Sequence, residues 1–150
     1  MREIMDIHSH TYYSGCGIDK PETIVEAAIA GGIELFGISD HNYGIGDRLE
    51  AYREEMSEVR ARYADKIRVL IGIELASLPG IAFHAPEKLK GFDYCLFEHL
   101  YCEESEVGMQ VFEYRKAFPC KFGIAHTDLF RFAEQHQLDP LSFLRRFAEN

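Results

Sequence analysis

Positive charge is what this sequence has least of. Lys and Arg total 16 against 25 Asp and Glu, a formal net charge of −9. Sequence-independent binding to duplex nucleic acid relies on Lys and Arg to displace counterions, so no partner of that kind is expected. An anionic substrate stays open, because bound divalent cations reverse the sign of a local site. The four cysteines, Cys16, Cys95, Cys102 and Cys120, show no C-x-x-C spacing. No secretory leader precedes them: the first apolar run is short and carries Asp6 and His8. They are expected to be reduced thiols in a cytoplasmic protein. No stretch approaches the length of a membrane span, so no membrane partner is expected. A Walker-type glycine loop and a G-x-S-x-G nucleophile motif are also missing, which leaves nucleotide triphosphate binding by that loop and serine catalysis by that motif without support.

What is there reads as one globular domain. The 150 residues are 47% hydrophobic and 13% aromatic, enough to build a core. "EIMDIH" (3–8) reads as a short strand, and "SGCGIDKP" as a loop. "PETIVEAAIAGG" reads as a helix: Pro21 suits its first position, Ile24, Ala27 and Ala28 form its apolar stripe, and Gly31 and Gly32 stop it. "IELFGIS" (33–39) is a buried strand. A long helix follows over 48–63, with Leu49, Tyr52, Met56, Val59 and Tyr63 at steps of three and four. "KIRVLIGIEL" (66–75) is a third strand, then an irregular stretch with room for a hairpin. "FDYCLFEHL" (92–100) is a fourth strand, "ESEVGMQVFEYRKAF" a helix ended by Pro119. "KFGIAHTDLF" is a fifth strand and its loop, and "DPLSFLRRFAEN" begins a last helix. Strand and helix alternate about five times, and the strands are nearly all apolar. That is the pattern of a parallel α/β sheet or barrel. There is no linker, low-complexity segment or internal repeat.

The polar residues fall at strand ends. His8 and His10 end the first strand, Asp40 and His41 the second, Glu74 the third, His99 the fourth and His126 the fifth. In α/β folds these C-terminal ends form the mouth where ligands bind. Residues i and i+2 of a strand point the same way, so Asp6, His8 and His10 can share a face. A lone His at a strand end is usually a hydrogen-bonded structural residue. Five consecutive strands ending in metal-type donors have no such explanation, and they point to one shared site. Imidazole and carboxylate suit Zn, Mn or Fe.

"DIHSHTYYS", "GISDHN", "GIEL" and "GIAHTDLF" resemble, in order, the motifs of the PHP (polymerase and histidinol phosphatase) superfamily. The resemblance runs from residue 4 to about residue 130. It implies a distorted (β/α)7 TIM-like barrel of the PHP type, with about five β/α units in this chain. It implies two or three divalent ions, Zn, Mn or Fe, at the C-terminal face. It also implies hydrolysis of a small phosphomonoester, of the histidinol phosphate or nucleotide type, by a metal-activated water. Carried over by position, His8 and His10 hold a first metal, Glu74 bridges two, and His99 and His126 hold the second. His41 belongs to a third, with a loop residue for which Cys16 is the nearest candidate and Asp19 the next. Glu74, His41 and Asp40 are the residues nearest the chemistry, Asp40 and Asp6 as groups that orient a neighbour.

The departure from the pattern is the absence of a D-x-H motif after His126. Only Asp128, His136 and Asp139 remain there, so residues 1–150 read as the N-terminal part of a PHP domain. Two other readings follow: a metal-binding but inactive module, and a structural or interaction domain. An incomplete barrel leaves apolar strand edges, so a homo-oligomer or association with a missing C-terminal segment is expected. Around the mouth, Tyr12, Tyr13 and Tyr43 can line the site or pack. Arg48 and Lys20 can meet a phosphate or serve as surface charge. His84 reads as structural or exposed. Glu98, one residue before His99, is expected to face away from the metals by strand alternation.

Overall fold

Five short apolar segments pair in the order of the chain. In the computed structural model, which describes residues 3–77, 86–100 and 108–149, the strands are β1 (Met5–Asp6), β2 (Leu35–Ile38), β3 (Arg68–Leu75), β4 (Tyr94–Glu98) and β5 (Lys121–Ala125). All neighbours are parallel, in the order β1-β2-β3-β4-β5. The helices between them are α1 (Pro21–Ala30), α2 (Asn42–Ile45), α3 (Leu49–Arg62), α4 (Val111–Ala117), α5 (Leu129–Gln135) and α6 (Pro140–Glu149). The result is a curled half-barrel, the arc of a (β/α) barrel that five units can make. No helix among the described residues is long and apolar enough to cross a membrane.

The two faces of the sheet have different tasks. Ile71, Ile73, Leu75, Cys95 and Phe97 point outward into the main core, where Val25, Tyr52, Met56, Val59 and Phe132 of the helices cover them. The inner, concave face carries Tyr94, Leu96 and Ala125 in a small separate cluster with Leu70. Period-two alternation separates these sets, and it places Glu74 and Glu98 on the inner face above them.

Several elements differ from the sequence reading. Strand β1 is two residues long rather than six. Beyond Asp6 the chain still runs beside β2, but Ser9 Oγ donates to the Gly37 carbonyl at 2.7 Å and Ser39 N to the Ser9 carbonyl at 2.9 Å, in place of a regular ladder. In α1 the buried positions are Pro21, Val25 and Ala28, with Ile24 half-buried against the core; of the stripe expected, Ala27 alone is exposed, and Val25 takes its place. Residues 129 and 130, read as the end of the loop after the fifth strand, open a helix over 129–135: Asp128 caps it, its carboxylate accepting from Phe130 N and Arg131 N. His136 ends that helix, exposed. Half of the stretch where a hairpin was expected, with His84, lies outside the described residues, as does Cys102. Ile4, Met5 and Ile7 are exposed along the β1 edge.

The floor of the concave face is built by one tyrosine and two glycines. Tyr94 lies across the inner face, and its hydroxyl donates to the Ile7 carbonyl at 2.6 Å. A side chain at Gly72 would overlap the Tyr94 ring, and one at Gly37 would overlap its hydroxyl. Gly72→Ala is therefore expected to destabilise the fold by about 1–3 kcal/mol through overpacking, measured by urea unfolding. In a Tyr94→Ala background the same change should cost much less. Equal cost in both backgrounds would contradict the clash.

Candidate metal centre

Glu74 is the fully buried end of the inner face of β3. Its two oxygens divide four imidazoles between them. Oε1 lies 3.2 Å from His8 Nε2 and 3.4 Å from His126 Nε2. Oε2 lies 3.0 Å from His41 Nδ1 and 3.4 Å from His10 Nε2. Both Glu74 oxygens, His8 Nε2 and His41 Nδ1 are buried without a hydrogen-bond partner. Unpaired buried polar atoms are costly, and this many lone pairs converging on one space fit a bound cation.

Backbone pairing brings His41 beside Glu74. The chain leaving β2 makes one further parallel bridge, His41 to Glu74, with Glu74 N donating to the Asp40 carbonyl at 2.9 Å. Asp40 is fully buried and does not face the cluster. Its oxygens accept from Thr11 N (2.7 Å), Thr11 Oγ1 (2.7 Å) and Ser14 Oγ (2.6 Å). It thus ties the loop after His10 to the end of β2. Ser14 Oγ in turn accepts from His41 N at 2.8 Å and lies 3.2 Å from His10 Nδ1. A serine hydroxyl has one proton and two lone pairs. The proton is committed to Asp40, so His10 must donate from Nδ1. That fixes its tautomer and leaves the Nε2 lone pair facing Glu74. Thr11 and Ser14 went unnoticed in the sequence; the signal was their place directly after the H-x-H pair.

The other side of the cluster rests on two unusual backbone positions. His99 and His126 both have positive φ, +56° and +47°, the left-handed region that costs a non-glycine residue about 1–3 kcal/mol. Thr127 links the two turns: its Oγ1 donates to the Ala125 carbonyl and accepts from Leu100 N. The two rings stack with centroids 5.4 Å apart. This turn also corrects the reading of Glu98. Strand β4 ends at Glu98 itself, so the alternation that was to point His99 inward points Glu98 inward instead. Glu98 is buried, with Oε2 3.7 Å from His41 Nδ1 and 3.5 Å from His99 Nε2.

Among the described residues, three groups of donors come within reach of a single ion: His10, Cys16 and His41; His8, Glu74 and His126; and His41, Glu74 and Glu98. Within each, one donor atom per residue lies within 4.8 Å of the others. The thiol of Cys16, exposed and free, is brought to the His10–His41 side. His99 stands beside His126 and outside these groups. Asp6 is exposed and accepts from His8 N at 3.1 Å, and Asp19 is exposed in the loop.

The electrostatics separate the imidazoles. The Glu74 carboxylate beside His8 raises its pKa above the usual imidazole value. Burial lowers those of His10 and His41, which keeps them neutral with lone pairs available. For Glu74, burial alone would raise the pKa, but His8, His41 and His10 together hold it below the carboxylate range. Glu98 goes the other way: burial, then the Glu74 charge, push it up to about 7.

The mouth is aromatic. Tyr43 is exposed and stacks on His41 at 4.7 Å, and His41 stacks on His10 at 4.5 Å. Tyr13 is buried and Tyr12 exposed, and both hydroxyls donate to Glu55 Oε2. Arg48 is engaged with protein, donating to the Gly44 and Tyr13 carbonyls and lying over the Tyr13 ring. Lys20 is exposed at the start of α1.

Removing Ser14 tests the relay. Ser14→Ala should release the His10 tautomer, leave the buried His41 N–H unpaired, and weaken divalent-metal binding about 10–100-fold. Long-range proton–nitrogen NMR reads the tautomer, and chelator competition reads the affinity. A His10 ring that keeps its Nδ1 proton in the variant would refute the relay.

Comparison with known proteins bears on the fold and the family. A histidinol-phosphatase of Lactococcus lactis subsp. lactis (strain IL1403) is 26% identical over 111 residues, covering 69% of this chain and 40% of the relative. The chain thus spans well under two thirds of that curated relative's length. Among solved structures, a histidinol phosphate phosphatase from the same organism, complexed with zinc, L-histidinol and phosphate, superposes with a TM-score of 0.55 at 20% identity. It covers 96% of this chain and 68% of that chain. At that identity the likeness speaks for the fold. The PHP domain family matches residues 6–137, nearly the whole span of the half-barrel, and this chain belongs to that family.

Proposed function

We propose that this protein is a metal-dependent phosphoesterase that hydrolyses a small phosphomonoester. The observation that carries the reading is Glu74: a fully buried carboxylate, unpartnered by any hydrogen bond, with four histidines divided between its oxygens. The donors His8, His10, His41, Glu74, His126 and Cys16, with His99 beside them, suit two or three ions of the Zn, Mn or Fe type. When bound, such ions supply a water acidified to near neutrality and positive charge for phosphoryl oxygens. The chain's own residues do the rest. Glu74 holds the two sides of the cluster in register. Asp40 ties down the loop of Thr11 and Ser14, and Ser14 orients the His10 ring and anchors the His41 backbone. The outer ring of Tyr43 covers the His10–His41 stack and stands where a substrate enters.

Substrate choice follows the relatives' names: histidinol phosphate is the first candidate, and a nucleotide monophosphate the second. The chain is acidic and Arg48 is engaged with the Gly44 and Tyr13 carbonyls, so metal-borne charge is the natural anion anchor. The competing reading is a metal-binding module without catalysis, since the donors gathered around Glu74 can hold an ion whether or not a substrate is turned over.

Phosphate release from histidinol phosphate, a nucleoside monophosphate and p-nitrophenyl phosphate distinguishes them. The chain is loaded separately with Zn²⁺, Mn²⁺ and Fe²⁺. Release that requires metal and falls at least 100-fold in His8→Ala is expected. Bound metal without release from any substrate would establish the inactive module instead.

A further inference from the structure

Glu98 is the acidic side chain that the expected ligand set leaves out. It is 4% exposed, and its ion-pair contacts given by the structure are with imidazoles, His41 and His99. It stands on the inner face beside Glu74, which is fully buried as well. Two buried carboxylates this close repel one another and each loses hydration. The cost is met by a proton or by a cation. An independent observation favours a cation: both Glu74 oxygens and His41 Nδ1 are buried, unpartnered and directed into the same space.

We propose that Glu98 is a metal ligand, forming with Glu74 and His41 a carboxylate-rich divalent-cation site on the inner face of β3 and β4. The proposal rests on the metal reading above and deepens it. The donor set gives the site its chemistry. Two carboxylates and one imidazole form a harder set than His8–Glu74–His126 or His10–Cys16–His41, and a harder set favours Mn²⁺ relative to Zn²⁺. His41 is shared with the Cys16 group, so the two groups cannot both use the same ring nitrogen. Its Nδ1, the atom facing Glu74 and Glu98, belongs to the carboxylate site. Glu98 thereby supplies a second carboxylate beside Glu74.

The test counts metal rather than turnover. Metal-free chain and Glu98→Gln are titrated with Mn²⁺, free Mn²⁺ being read by electron paramagnetic resonance, and with Zn²⁺ by chelator competition. The amide keeps the shape and removes the charge; circular dichroism melting reports folding. The expected result is loss of one Mn²⁺ equivalent, or at least tenfold weaker Mn²⁺ binding, with the tightest Zn²⁺ equivalent unchanged. Equal Mn²⁺ binding in the two proteins would overturn the role of Glu98 and leave the metal reading standing. An unmutated chain that binds neither ion would overturn both. Should Glu98→Gln fail to fold, Glu98→Asp decides: its shorter side chain withdraws the oxygens, so tenfold weaker Mn²⁺ binding supports the assignment and unchanged binding overturns it.

Discussion

A buried carboxylate with nothing to bond is the constraint around which this half-barrel is arranged. Glu74 brings a charge to a fully buried place, with no protein hydrogen-bond donor in suitable geometry among the described residues. Four histidines from the segments that follow β1, β2 and β5 approach it, two on each oxygen. Isolated, such a charge costs several kcal/mol, and the usual escape is protonation. Here the escape is closed, because the imidazoles hold its pKa low. A cluster that keeps its central carboxylate ionised and two of its imidazoles neutral is prepared for cations.

The surroundings make that arrangement hold. On one side Asp40 holds Ser14, whose single hydroxyl proton sets the His10 ring tautomer and whose oxygen also accepts the His41 backbone N–H. On the other, two histidines accept left-handed backbone conformations, tied together by Thr127. Strain of that kind persists only where the neighbouring structure over-determines it. Below, Tyr94 fills the barrel floor and fastens the segment just before His8, which is possible because Gly37 and Gly72 leave room. The first strand contributes only two residues to the sheet, so His8 and His10 depend on these side-chain ties more than on a ladder.

Much of this was legible from residues. Apolar runs of strand length alternating with three-and-four periodicity announce parallel β/α units, because period two and period 3.6 leave different traces. Metal-type donors at five successive strand ends announce a shared mouth. What stayed hidden depended on single backbone turns. Glu98 reads as outward only if the strand continues through His99, and a positive φ at His99 leaves no mark in composition. The grouping of donors was likewise hidden: His8 sits with His126, and His10 with Cys16 and His41, whereas spacing alone joins His8 to His10. Helix α5 was missed because Asp128 looks like a loop residue until its carboxylate is seen capping two backbone N–H groups.

The measurement that bears most directly on Glu74 as the shared corner of a metal cluster is the metal content of the purified chain, by plasma mass spectrometry, beside Glu74→Gln. Two or three equivalents of Zn, Mn or Fe in the unmutated protein, falling by at least one in the variant while the fold persists by circular dichroism, is the predicted result. Metal at background in the unmutated chain, or a content that Glu74→Gln leaves unchanged, would contradict it.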